Sequence, residues 1–319
     1  NWISDVMNRN NVSEFILLGL TQDQELQKVC FGLFLIFYMA ILLGNLLIIV
    51  TIKSSRHLIS PMYFFLSYLS FIDICYSSVT APKLIADFLV KKKSISFVGC
   101  IAQLFGVHFF GCTEIFLLTL MAYDRYIAIS KPLHYSTIMN KKICSWMVFM
   151  SWLGGFVHSM VQTLLTTQLP FCGNSINHFF CDLAALLALA CSDTSLNELL
   201  LFTFGILVEG LNTVTIAASY GFIIIAVVKM PSSGGRLKTF STCASHMTTF
   251  ALFHGTILFM YFRPKSSFFM HTDKKVSVFY TLIIPMLNPL IYSLRNANVK
   301  GPLKRLLLSC LPWSFSSLH

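Results

Sequence analysis

Seven stretches of about 20 residues, nearly free of charged side chains, set what this sequence can fold into. They cover roughly residues 29–52, 62–82, 100–123, 143–169, 199–228, 239–261 and 276–292. Each is long enough for a membrane-spanning helix. Apolar residues make up 55% of the 319 and charged residues only 11%, against about 25% in soluble domains. One large or two small soluble domains are therefore excluded. The expected fold is an all-α membrane protein, a seven-transmembrane helix bundle with a short C-terminal amphipathic surface helix. It divides into an N-terminal segment 1–28, a transmembrane domain 29–292 and a tail 293–319. The last span is the shortest and contains Pro285 and Pro289, which predicts a kinked helix. The sixth is the least apolar, with Ser241, Thr242, Ser245, His246, Thr248 and Thr249 in its first half.

Seven spans place the termini on opposite sides. The connections on the C-terminal side carry thirteen Lys and Arg with Asp124 as their one acid, whereas the other side carries ten bases and nine acids. The positive-inside rule counts bases, and so predicts a cytoplasmic C-terminus. Asn11-Val12-Ser13 agrees, since this glycosylation acceptor needs an N-terminus in the secretory lumen. Residues 1–28 hold six charged side chains and no long apolar core, so the first transmembrane helix is expected to direct insertion. The net charge of +10 is accounted for by loop bases facing anionic membrane lipid, and no nucleic-acid module is evident.

Three of the ten cysteines, Cys172, Cys181 and Cys191, fall in the long outer loop 170–198, and Cys100 sits at the outer end of the third span. Four cysteines allow three pairings, and spacing does not choose among them. Cys30, Cys75, Cys112, Cys144 and Cys243 read as small apolar fillers of the spans. Residues 230–236, "MPSSGGR", read as a flexible turn. The tail "VKGPLKRLLLSC" places Leu303, Leu306 and Leu307 on one helical face beside Lys304 and Arg305, as in a helix lying on the membrane surface.

Three carboxylates lie well inside the spans: Asp73, Glu114 and Glu209. Insertion of an ionised carboxylate costs about 2.5 to 3.5 kcal/mol, so each should face the bundle interior with a partner. Histidine is the only basic residue type inside the spans, which leaves a protonated acid, a His partner or a bound cation. Asp73 and Glu114, helped by Ser70 or Asn45, suit Na⁺ held between helices; a pair of neutral acids sharing hydrogen bonds suits them equally. His108 shares a stripe with Gly111, Cys112 and Ile115, a mixture suited to a pocket wall, although a histidine bonded to a neighbouring helix gives the same pattern. His254 and Tyr261 form a second stripe. No metalloprotease, serine-hydrolase, phosphate-loop or paired-cysteine motif is present, and no span contains the lysine that a retinal Schiff base needs. Catalysis is not expected.

Five motifs carry a resemblance. "PMYFFLSYLSFIDICYSS" (61–78), "MAYDRYIAISKPLHY" (121–135), "SY" (219–220), "KTFSTCASH" (238–246) and "PMLNPLIYSLRN" (285–296) resemble, in this order, the signatures of vertebrate olfactory receptors. These are rhodopsin-like, G-protein-coupled receptors. The loop "LPFCGNSINHFFCD" has the form of the larger, tetrapod-expanded class. The resemblance implies a plasma-membrane receptor with an extracellular N-terminus, whose partners are a small-molecule odorant, a stimulatory, olfactory-type G protein that raises cyclic AMP, and membrane lipid. It implies disulfides Cys100–Cys181 and Cys172–Cys191, and a sodium site at Asp73 and Glu114 with Asn45 and Asn288 nearby. It implies a G-protein switch in which Asp124 holds Arg125 at rest, with Tyr126, Tyr220 and Tyr292 reorganising beside it.

By the same resemblance, the odorant lies between helices three, five and six beneath the long loop, against His108, Gly111, Cys112, Ile115, Tyr261 and Lys265. Glu209 and Asn212 are expected to add contacts from helix five. His254 departs from the family pattern, standing where "FYGT" carries tyrosine at a position that couples pocket to activation. Glu209 is also unusual, and the two together point to a polar or basic odorant and to pH-sensitive signalling. A seven-helix transporter, or a chemosensory receptor acting outside the olfactory epithelium, is the competing reading. Transporters show repeated halves and matching broken helices, and this sequence has neither.

Overall fold

In a computed structural model, the structure describes residues 12–56, 58–229, 232–262, 270–295 and 297–310. Six long helices come first: α1 (Gln24–Ser54), α2 (Pro61–Asp87), α3 (Phe97–Ser130), α4 (Lys141–Thr167), α5 (Ser195–Val228) and α6 (Ser233–Phe262). The seventh, α7, is α-helical over Met270–Val278, π-helical over Phe279–Ile283 and α-helical again over Ile284–Arg295; α8 (Ala297–Cys310) follows. By length and composition α1 to α5 can each cross a membrane, and α6 carries the shorter apolar stretch Met247–Phe259.

Helix starts follow local capping chemistry. Asp23 accepts hydrogen bonds from the Glu25 and Leu26 amides at 2.9 and 3.2 Å, which begins α1 ahead of its apolar run. Ser96 caps α3 through Gly99, and Asn140 caps α4 through Ile143. The flexible turn expected across 230–236 is shorter than the sequence suggests, because α6 already begins at Ser233. The Arg236 amide donates to the Ser232 carbonyl at 3.0 Å and closes a first turn that contains both glycines. That turn forms despite a propensity cost of about 1 kcal/mol per glycine. In α7 the expected kink takes the form of a π-helical turn. Pro285 has no amide proton for the carbonyl four residues back and its ring crowds it, and the wider turn just before it absorbs the mismatch.

The central helix is α3. Leu117, Leu118 and Met121 bury against Leu66, Leu69 and Ile72 of α2, and Ile48 of α1 and Phe253 of α6 complete the same cluster. α4 approaches α3 closely at Gly155, where a Cβ would lie 2.2 Å from Thr113 Oγ1 and 2.9 Å from the Phe109 carbonyl. Ser159 adds a hydrogen bond to the Phe105 carbonyl at 2.6 Å. The outward faces carry bare apolar side chains, Leu211 at 66% exposure and Val214 at 67% among them, which water would not tolerate in such density.

At one end of the bundle, three short strands form a sheet in the order β2-β1-β3. β1 (Glu14–Leu17) pairs antiparallel with β2 (Ser94–Ser96) and parallel with β3 (Ser175–Ile176). Alternation along β1 buries Phe15 and Leu17 against Phe97, Phe171 and Ile176. Residues 14–17, ahead of the first span, are thus built into this end, together with the long loop.

Candidate functional site

Glu209 on α5 and His254 on α6 are both buried, and Glu209 Oε1 lies 2.5 Å from His254 Nδ1. Their other polar atoms, Glu209 Oε2 and His254 Nε2, have no hydrogen-bond partner among the described residues. The His254 ring packs 4.2 Å from that of Phe250, and Cys112 of α3 lies within electrostatic reach of Glu209. Three helices therefore meet around one polar pair. One turn beyond Glu209, Asn212 accepts a hydrogen bond from Thr119 of α3 at 2.8 Å and donates to the Val208 carbonyl at 2.6 Å. Thr119 also bonds the Ile115 carbonyl at 3.0 Å.

The α3 stripe divides among neighbours. The His108 ring lies 5.6 Å from that of His158 on α4, and His158 in turn lies 5.7 Å from Phe204 on α5. Gly111 instead faces α2, where its Cβ position would be 3.5 Å from the Tyr76 hydroxyl. Cys112 is the stripe residue turned toward Glu209. Lys265 and the side chain of Tyr261 lie outside the described residues.

Deeper in the bundle, Asp73 and Glu114 are fully buried and within electrostatic reach of one another. Asn288 of α7 donates to both Asp73 oxygens, at 3.1 and 3.0 Å, whereas both Glu114 oxygens have no partner among the described residues. Asn45 does not turn its amide nitrogen to the acids: it donates to the Ile41 and Pro285 carbonyls at 3.1 and 3.0 Å, pinning α1 to α7 at the carbonyl of a proline. No group of three or more His, Cys, Asp and Glu able to hold a metal occurs among the described residues. The unpartnered Glu114 oxygens beside the Asp73 carboxylate are nevertheless the hard donors that Na⁺ takes.

At the end of α3, Arg125 Nη2 and Nε lie 2.5 and 3.1 Å from Asp124 Oδ2, and the Tyr135 hydroxyl donates to Asp124 Oδ1 at 2.7 Å. Burial and the Asp124 carboxylate push the Tyr135 phenol above its ordinary range, which keeps its proton in place. Tyr126 packs 5.6 Å from Phe222 of α5. Tyr220 buries with Ala122, Ile216 and Cys243, linking α3, α5 and α6. The side chain of Tyr292 lies outside the described residues.

At the opposite end, Cys100 of α3 is bonded to Cys181 and Cys172 to Cys191, with Cα–Cα distances of 5.4 and 5.5 Å. Gln103 reinforces the first bridge: its carbonyl accepts from the Cys181 amide at 2.9 Å and its amide donates to Val79 at 3.0 Å. His178 is buried between Phe179 and Phe180, and burial pushes its imidazole down to about 4. Asn11 lies outside the described residues.

These geometries can be set beside known proteins. A family model described as olfactory receptor matches residues 34–310, nearly all of the bundle. The chain belongs to the olfactory receptor family. Olfactory receptor 4S2 of Homo sapiens is 56% identical over 306 residues, covering 93% of this chain and 95% of its own length. Olfactory receptor 4B13 of Mus musculus is 52% identical, with 93% and 97% covered. Olfactory receptor-like protein OLF1 of Canis lupus familiaris is 52% identical, with 92% and 95% covered. The family consists of multi-pass G-protein-coupled receptors for odorants, and not of enzymes.

Three polar residues of this olfactory receptor escape a reading of motifs alone: Gln103, Tyr135 and His178. Gln103 shares no motif with the cysteine it supports, and its signal is only that it lies one turn after Cys100. Tyr135 closes the motif "KPLHY", eleven residues from Asp124, and only the turn at Pro132–His134 brings the two together.

Proposed function

We propose that this receptor binds its odorant between α3, α5 and α6, beneath the disulfide-bonded loop, and activates a stimulatory, olfactory-type G protein that raises cyclic AMP. The observation that carries the reading is the Glu209–His254 contact. It joins two helices at a buried level shared with Cys112 and leaves one acceptor and one ring nitrogen unmatched among the described residues. Apolar side chains supply most of the affinity, and the pair orients a ligand with a polar or basic group. His108, Cys112, Ile115 and Asn212 contribute from α3 and α5, and Tyr261 and Lys265 are further expected contacts. Domain assignment follows the same reading: 1–28 extracellular, 29–292 transmembrane, 293–319 cytoplasmic. The count of thirteen loop bases against ten supports that orientation.

Na⁺ fits between Asp73 and Glu114, because the two Glu114 oxygens are buried without a partner among the described residues. A resident cation there neutralises charge that the fold otherwise leaves uncompensated. Asp124, itself bonded by Tyr135, holds Arg125 in the resting state, and release of the guanidinium, with rearrangement of Tyr126, Tyr220 and Tyr292, opens the G-protein face. The test is a cyclic AMP assay over a panel of amines and neutral odorants, with wild type, Glu209→Gln and His254→Tyr at matched surface expression. A changed rank order in the variants supports the reading; an unchanged order in both removes it.

A further inference from the structure

The membrane-facing side of α4 carries a feature that neither odorant binding nor G-protein coupling uses. Two adjoining grooves run along it. One, of about 620 Å³, is lined by Lys141, Lys142, Ser145, Trp146 and Phe149. The next, of about 470 Å³, shares Trp146 and continues over Met150 to Phe116 and Thr119 of α3. Lys142, Trp146 and Met150 succeed one another at intervals of four and stand on one helical face. Eight residues at 1.5 Å each carry this face about 12 Å along the axis, nearly one leaflet of a hydrocarbon core about 30 Å thick.

We propose that this face binds an anionic phospholipid, with the headgroup on Lys141 and Lys142 and an acyl chain along Trp146, Phe149 and Met150. Charge complementarity selects the occupant. Neither lysine makes an ion pair among the described residues, and the residues lining the two grooves include no acid. Both lysines sit in the first turn of α4, where the helix dipole adds positive potential and where side chains lean toward the helix start, at headgroup level. Below them Trp146 is 62% exposed and Phe149 54%, their rings edge to face at 5.6 Å, and a lipid tail covers them in a membrane-spanning chain. A second copy of the receptor docked symmetrically here brings four lysines together, and a sterol brings no charge to meet two. The inner wall connects to the bundle interior, because Thr119 donates to Asn212 of α5. The proposal rests on membrane insertion alone and is independent of the odorant or G protein.

The test uses the full-length receptor in nanodiscs and the fluorescence of Trp146, taken as the difference between wild type and Trp146→Phe. Brominated phosphatidylserine is expected to quench it at lower mole fraction than brominated phosphatidylcholine. The preference should fall about fivefold for each Lys→Gln substitution at Lys141 and Lys142, survive the Lys→Arg substitutions, and weaken at high salt. Equal quenching by the two lipids in wild type overturns the proposal, and that comparison needs no lysine variant to fold. Stronger quenching by a brominated sterol, or an intact preference in the double Gln variant, overturns it as well.

Discussion

Glu209 and His254 form a buried hydrogen bond between α5 and α6, 2.5 Å long, with the ring of Phe250 packed 4.2 Å from that of His254. Removing one partner leaves the other buried and unsatisfied, which costs about 1–3 kcal/mol, whereas replacing both with apolar groups of similar shape is close to neutral. Thermal unfolding of the purified receptor should therefore show His254→Ala and Glu209→Ala each strongly destabilised. The double variant Glu209→Leu with His254→Phe should lie near wild type. Additive losses in a double-mutant cycle would show that the two side chains do not act as a pair.

Tyr135 holds Asp124 from the side opposite Arg125, with a hydrogen bond of 2.7 Å to the oxygen that the arginine does not contact. A hydrogen bond to a charged group is worth about 1.5–3 kcal/mol, and Tyr135→Phe deletes it with little change in shape. Under the proposed switch, this substitution weakens the resting arrangement relative to the active one. Basal cyclic AMP without odorant should rise, by about tenfold at the lower figure, at matched surface expression. In contrast, Arg125→Ala should abolish signalling. Full signalling by Arg125→Ala would exclude this cluster as the G-protein switch.

Asp73 and Glu114 differ in how they are satisfied: Asn288 donates to both oxygens of the first, and the second has no partner among the described residues. At the proposed site, Na⁺ present at a hundred times its Kd would stabilise the folded receptor by about 2.7 kcal/mol. Thermal stability should thus be higher in sodium than in choline buffer of equal ionic strength. Either Asp73→Asn or Glu114→Gln should erase the difference. If both variants keep the full sodium effect, the ion binds elsewhere or not at all.

The parts legible in the sequence are those fixed by local chemistry and by long apolar runs. α3 was readable as a span over 100–123 because those residues lack charge apart from Glu114, whereas its start at Phe97, behind the Ser96 cap, was not read. Glu114, Glu209 and His254 announced themselves by being polar where lipid surrounds the bundle. The contact between Glu209 and His254 was not readable, because 45 residues separate them and only the packing of α5 on α6 brings them together. β1 was hidden for a similar reason. "EFIL" is four residues without a turn signal, and it becomes a strand because the edges at 94–96 and 175–176 offer it hydrogen bonds. That Gly111 lies against Tyr76 of α2 was likewise not readable, because the spacing of the α3 stripe does not say which neighbouring helix each position meets.

His178 makes the loop over the bundle sensitive to acid. Its Nδ1 accepts a hydrogen bond from the Phe180 amide at 3.4 Å, its ring stacks on Phe179, and Nε2 has no partner among the described residues. Burial holds the imidazole down to about 4 against an ordinary 6.5, with Lys274 reinforcing the shift and Asp182 opposing it. The opened loop therefore binds more protons than the closed one between these two values. Closure is fully stable above pH 6.5 and weakens as pH falls toward 4, by about 3 kcal/mol across the window. Hydrogen exchange of the backbone over residues 170–198 should accelerate as pH drops through this range, after correction for intrinsic exchange rates. His178→Phe, which keeps the aromatic stack and cannot protonate, should flatten the profile; an unchanged acid dependence in that variant would assign the sensitivity to Asp182 or another group.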